Sequence, residues 1–398
     1  MKLFKSLLVA PAALGLLAPI SASANEVHLN DISNYSDIES FELFNSFNKE
    51  EPAQDLLLAG GEGLVDSSDS YAHDGGFSTT TSASFGADFV IGAVDGAGYL
   101  QEALTFDYQY GMTLSTSFTG EDSLDLVIET GNATSASGTI LDMNGMSDKL
   151  NLDGITYTFP LGDKTTVMVG DSTDVSALYS TACTYSAFTD LLSNCGSGTA
   201  AGLGGGTADQ GTSSTADDAS SATIAAAFDF GNGFTLAGGL SGAGGDTEGL
   251  FTKESLDVYG VQAAYNTDSY GASLSYALTD TSATAESSFW GLNAFYSFDG
   301  EGLPSISVGY ESEDPSGSST KEGYFVGLSW DEVGPGSFSI GMSSTANFAD
   351  TDTETYQYEA AYSYPINDGM TITPGVFIKE VNNADDQTGV IVKTSFSF

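Results

Sequence analysis

The chain has 398 residues, 9 of them basic and 54 acidic, for a formal charge of −45, and it contains no arginine. A surface this acidic repels nucleic acid and suits a salty exterior, divalent cations or a cation pathway. With 48 glycines, 24 phenylalanines and 19 tyrosines spread through Ser/Thr-rich segments punctuated by turn residues, the composition points to an all-β protein.

Residues 1–24 read as a secretory signal peptide. Lys2 and Lys5 make a positive start, Ser6 to Ile20 an apolar core, and Ala22-Ser23-Ala24 a small-residue cleavage site before Asn25. Loss of these two lysines, in a segment without acids, takes the formal charge from −45 to −47. No later run reaches the roughly 18 to 20 uninterrupted apolar residues of a membrane helix, so the exported product is either soluble or crosses a membrane by strands. Residues 25–74 are acidic with one helix-like patch, Phe41, Leu43, Phe44 and Phe47, followed by Leu56-Leu57-Leu58. They are expected to form a periplasmic segment; a plug inside a lumen is the other reading.

From residue 75 to 398 the pattern is that of strands. Alternating segments fall near 77–93, 103–118, 124–130, 151–161, 164–170, 221–231, 233–242, 255–265, 269–279, 287–298, 304–312, 322–331, 336–346, 355–364, 370–380 and 388–398. The connectors alternate in length. Short turns lie at 120–122, 162–163, 231–233, 266–268, 299–302, 334–336 and 367–369, and longer connectors at 94–102, 131–150, 171–220, 243–254, 280–286, 313–321, 347–354 and 381–387. A transmembrane antiparallel β-barrel with both termini in the periplasm has this segregation of short turns from long loops. The expectation is about 16 strands, within 14 to 18.

Face assignments follow from the two-residue period. Tyr356, Tyr358, Tyr362 and Tyr364 share one face, opposite Gln357, Glu359, Ala361 and Ser363, which reads as lipid-facing aromatics against a polar lumen. Leu104 to Leu114 and Tyr324 to Trp330 alternate likewise. In the last strand Val390, Val392, Phe396 and Phe398 face one way and Ile391, Lys393, Ser395 and Ser397 the other; Phe396 and Phe398 are the expected barrel-closing residues. Pro374 removes a ladder hydrogen bond inside its strand, for which a bulge or a shifted boundary is expected.

Chemistry is sparse. His28 and His73 both precede the strands, which leaves no basis for a hydrolytic triad or a zinc site, and neither enzyme activity nor a cofactor or resident metal is expected. The glycine run 202–206 lacks the Lys-Ser/Thr of a phosphate loop, and Asp350, Asp352 and Glu354 lack the glycine and closing glutamate of a calcium loop. Cys183 and Cys195, an even pair in an exported chain, are expected to form a disulfide. They lie in the connector 171–220, far longer than a turn requires. Its acids include Asp171, Asp174 and Asp190, the candidate pore-constriction residues. Folded into the lumen, this loop narrows an otherwise open pore; an external cap is the other reading. Lys164, Lys379 and Lys393 are the inward lysines by strand parity, so the pore is expected to prefer cations or to be weakly selective. The competing class is an exported acidic adhesin without channel activity.

Several stretches carry a family resemblance: M-K-L-F-K-S-L-L-V-A-P-A-A-L-G-L-L-A-P (1–19), G-G-F-S-T-T-T (75–81), S-F-T-G (117–120) to T-G-N-A (130–133), Y-T-F-P-L-G-D-K-T-T-V-M-V-G (157–170) and C-T-Y-S-A-F-T-D-L-L-S-N-C-G (183–196). With the closing strand they cover most of residues 75–398, and together they resemble the cyanobacterial outer-membrane porins, a branch of the carbohydrate-selective porin family also labelled iron-uptake porins. The resemblance implies a passive channel for small hydrophilic solutes such as ions, sugars or inorganic iron, set among outer-membrane lipid and lipopolysaccharide. Homotrimers are common among porins, and the outer face of small and aromatic residues permits one. Residues 25–74 are too short for the S-layer-homology domain and coiled coil of that family, and lack its signatures, which leaves tethering to the cell wall without support.

Overall fold

In the computed structural model the described residues are 80–96, 103–180, 182–190, 195, 221–243, 257–282, 285–300, 302–344 and 353–398. The signal peptide, the segment 25–74 with both histidines, the glycine run 202–206, Asp350 and Asp352 lie outside them.

Sixteen strands close into one antiparallel barrel: β1 (Thr81–Asp95), β2 (Leu104–Thr116), β3 (Ser123–Gly131), β4 (Asn151–Pro160), β5 (Thr165–Asp171), β6 (Ser221–Asp229), β7 (Phe234–Ala243), β8 (Asp257–Asn266), β9 (Tyr270–Ser282), β10 (Ala285–Ser297), β11 (Ser305–Pro315), β12 (Lys321–Val333), β13 (Gly336–Ser344), β14 (Tyr356–Asn367), β15 (Met370–Lys379) and β16 (Gln387–Ser397). Each strand pairs with its sequence neighbours, and β16 closes on β1 with Ala87 opposite Phe396. Phe85 and Phe398 exchange backbone hydrogen bonds of 2.8 and 3.0 Å, and their rings stack at 5.5 Å. Closure leaves no unpaired edge, which hydrocarbon would not tolerate.

Three local expectations are corrected. The connector 280–286 is not a long loop, because β9 continues to Ser282 and β10 begins at Ala285. Pro374 causes no bulge. Ala361 opposite Gly375 and Tyr364 opposite Ile372 keep one register across it, and it faces outward, so the sheet loses a hydrogen bond without losing alignment. A short helix, α1 (Ala136–Ile140), stands in the connector before β4, capped by the Ser135 side chain on the Gly138 N–H; five residues are too few to show a helical period.

The alternation of faces follows the sequence. On β14, Tyr358 and Tyr364 are exposed while Gln357 and Glu359 are buried. Ile224, Leu236, Tyr259, Val261, Leu274 and Leu292 form part of a continuous outward apolar belt. A surface of that extent is a liability in water and the natural coat of a lipid-facing wall. Aromatic pairs gather at the short-turn rim: Phe118–Tyr157, Phe228–Phe230, Phe234–Tyr265 and Tyr296–Phe298, with centroids 4.5 to 6.2 Å apart. Tyr310 and Tyr324, 5.8 Å apart, stand toward the other rim. Amphipathic rings at both edges of an apolar band are the girdles of a transmembrane barrel.

Candidate functional site: the belt inside the barrel

Residues 173–180 and 182–190, after β5, run around the inner wall rather than out from the rim. The contacts advance strand by strand. The Thr173 carbonyl accepts from Thr223 Oγ1 of β6 at 2.7 Å, and Val175, fully buried, passes Gly239 of β7 at a point where a side chain would strike its carbonyl. The Ser180 N–H donates to Gln262 Oε1 of β8 at 2.7 Å, and the Ala182 N–H to Ser273 Oγ of β9 at 3.5 Å. On β11, Ser307 Oγ accepts from the N–H groups of Thr184 and Tyr185 at 3.0 and 3.2 Å. The Tyr185 ring then meets Phe325 of β12 edge-on at 5.2 Å.

The anchor is Glu359 of β14, whose carboxylate is buried. It accepts from Tyr185 OH at 2.8 Å, the Phe188 N–H at 2.7 Å, the Thr189 N–H at 2.8 Å and Thr189 Oγ1 at 2.5 Å. A charged acceptor satisfied by four donors is far stronger than a neutral one. Burial, with the Glu359 carboxylate adding to it, pushes the Tyr185 phenol well above its ordinary value. Beyond Glu359 the Phe188 ring lies over Gly375 of β15, where a methyl group would overlap it. Phe188 joins Val90, Val94, Ile140, Met143, Phe377 and Ile391 in the largest buried apolar cluster.

The belt is completed by α1. The Asp190 N–H donates to the Ile140 carbonyl at 2.9 Å. Ser137, fully buried, packs over Gly92 of β1 and accepts from Thr105 Oγ1 of β2 at 2.9 Å; Ser135 donates to the buried Asp107. Two connectors thus line the inside of the barrel around most of its circumference and narrow the space within. Cys183 and Cys195 are paired, with Cα atoms 6.2 Å apart, and pack with Tyr185 and Phe325.

The profile of the Gram-negative porins matches residues 103–386. The chain belongs to the Gram-negative porin family. The porin is thereby an outer-membrane channel protein by family. Solved structures agree on the fold: Pseudomonas putida OprB has 11% identity over 80% of this chain and 94% of that one, TM-score 0.59. The anion-selective porin from Comamonas acidovorans has 15% over 80% and 99%, TM-score 0.56, and an engineered variant of the Rh. blastica porin 14% over 80% and 100%, TM-score 0.50. No curated protein matches the chain by sequence.

The three candidate acids of the porin separate. Asp190 and Asp174 keep solvent-accessible side chains on the inner belt, and the protein packed around the Asp190 carboxyl desolvates it in part, which raises it first, the Asp142 charge second. Asp171 is corrected out of the constriction: it ends β5 opposite Ile155 and Ala222, both on the outward face. The lysines separate too. Lys379 pairs with the buried Gln357 and lies on the inward row; Lys393, one position beyond Ile391 on that row, lines a polar recess beneath the belt. Lys164 belongs to the turn between β4 and β5, where parity has no meaning, and its exposed ammonium donates to the Phe230 carbonyl at 3.2 Å. Sequence reasoning put Glu359 in the lumen but missed its anchoring role. The available signal was a carboxylate on the inward row of β14, with inward glycines Gly327 and Gly375 on β12 and β15 that leave room for loop aromatics.

Proposed function

We propose that this porin is a passive, cation-preferring channel for small hydrophilic solutes whose constriction is the belt of residues 173–180 and 182–190. The observation that carries the reading is the anchoring of that belt to the inner wall by Glu359. Cation preference is supported by the absence of arginine and by exposed Asp174 and Asp190 on the belt, since carboxylates in a low-dielectric passage concentrate cations. The sequence resemblance supports a place in the cyanobacterial branch, with ions as the first solute class and sugars or inorganic iron as further ones. Residues 1–24 act as the signal peptide, 25–74 stay in the periplasm, and the short-turn rim faces that compartment. The outward groove that Ala226 and Gly238 keep shallow suits contact with lipid or with two further copies in a trimer, surrounded by lipopolysaccharide.

Reconstitution in planar bilayers tests this directly. Discrete conductance steps with a reversal potential shifted toward the cation equilibrium are expected under a salt gradient. A shift toward the anion equilibrium would overturn the selectivity, and a conductance unaltered by reducing Cys183–Cys195 would argue against a disulfide-stiffened constriction.

A further inference from the structure

Beneath the belt, toward the short-turn rim, lies a recess of about 310 Å³. Its roof is the belt segment Thr184 to Phe188, and its walls are β12 to β16. Nine of its fifteen lining residues carry hydroxyls, and its only charges are Asp331 on β12 and Lys393 on β16. Thr373 stands opposite Lys393 in register, Ser395 opposite Thr371, and Thr373 Oγ1 donates to Ser363 Oγ at 3.5 Å. Lys393 is thus set in a nest of hydroxyls, and among the described residues it forms no ion pair; neither does Asp331. Four strand spacings separate their backbone positions, about 19 Å along the wall at roughly 4.8 Å per strand, and no ion pair joins them among the described residues.

Resting on the porin reading above, we propose that this recess is a subsite for extended zwitterions of about tripeptide length, whose span of roughly 10–11 Å leaves the rest of the gap between the two strand positions to the Lys393 and Asp331 side chains. The solute carboxylate is taken by Lys393 with Thr373 and Ser395, and its ammonium is drawn toward Asp331. Other solute classes fit less well. A free anion is repelled by the acidic chain before it reaches Lys393. A simple cation makes no use of Lys393. A neutral polyol satisfies the hydroxyls but leaves both charges uncompensated, and a site built for a charged partner discriminates against an analogue lacking it. A net-neutral solute with separated charges escapes the repulsion and compensates both ends.

Bilayer recordings with triglycine, its N-acetyl and amide derivatives, and maltose provide the test. Triglycine is expected to reduce single-channel current saturably. Lys393→Met and Asp331→Asn should each weaken this block roughly tenfold or more, the loss of one charge-assisted contact, while Lys393→Arg retains it and Lys164→Met, in a turn outside the recess, leaves it unchanged. Because Lys393 lies in a paired strand, heat-modifiable migration on detergent gels verifies that each variant has folded; the Asp331→Asn arm, at an exposed strand end, decides the matter if Lys393→Met does not assemble. Open channels without triglycine block, or block equal for maltose and triglycine, would overturn the subsite while leaving the channel intact. Absence of any conductance step would overturn the channel reading and this subsite with it.

Discussion

Asp190 is the residue whose ionisation the belt perturbs in an observable way. Partial desolvation first, and the neighbouring Asp142 charge second, hold its carboxyl above the ordinary value of 3.8. A carboxyl raised in the folded state opposes folding when ionised, and that penalty disappears as the pH falls through the raised value. Its charge is therefore lost in mild acid, before ordinary carboxylates near 3.8 titrate. Cation preference measured by reversal potential should begin to fall in that window, and Asp190→Asn should lower it at neutral pH and flatten the profile; an unchanged profile would remove Asp190 from the ion path. Asp122, in the turn before β3, shows the opposite sign. Burial pushes it up, but hydrogen bonds from Tyr157 OH, the Thr119 N–H and hydroxyl, and Ser117 Oγ outweigh that and hold it well below the carboxylate range. The stability it contributes is present above the unfolded value and is lost only as the pH falls below it.

Among the elements, the belt depends on one carboxylate and on two glycines of the wall. Glu359→Ala removes the acceptor of four donors, all on the buried residues Tyr185, Phe188 and Thr189, and each donor left unsatisfied costs about 1–3 kcal/mol. The barrel ladder does not use that side chain, so the expected outcome is a folded barrel with a detached belt: larger, noisier conductance steps with heat-modifiability retained. Gly375→Ala tests the same contact from the wall. A methyl there displaces the Phe188 ring, with an overpacking cost of about 1–3 kcal/mol, read as a lower midpoint in thermal unfolding together with altered conductance. A wild-type conductance in both variants would mean that the belt does not bound the ion path. None of this was visible in the loop segment alone, where only Cys183 and Cys195 signalled constraint.

For the whole molecule, an apolar band outside and a hydroxyl-rich, belted lumen inside reverse the arrangement of a soluble domain. Extracted in mild detergent, the folded barrel should migrate differently from the boiled chain and partition with membranes; recovery only in the soluble fraction would contradict the lipid-facing assignment. The strands, their number, their faces and the closing pair of Phe396 and Phe398 were legible in the sequence, because side-chain direction in a strand has period two and every strand here touches lipid on one face. The disulfide was legible from the pair of cysteines. Sequence reasoning failed where strands end: parity placed Lys164 in the lumen, whereas that residue belongs to a turn, and a boundary one residue short left Asp171 in the connector as a constriction acid, whereas it ends β5 facing outward. What only the tertiary structure decided is where the connector after β5 goes and which strand residues receive it. That route depends on contacts between residues as far apart as Thr189 and Glu359, which no local period records, and so do the anchor at Glu359 and the recess holding Asp331 and Lys393.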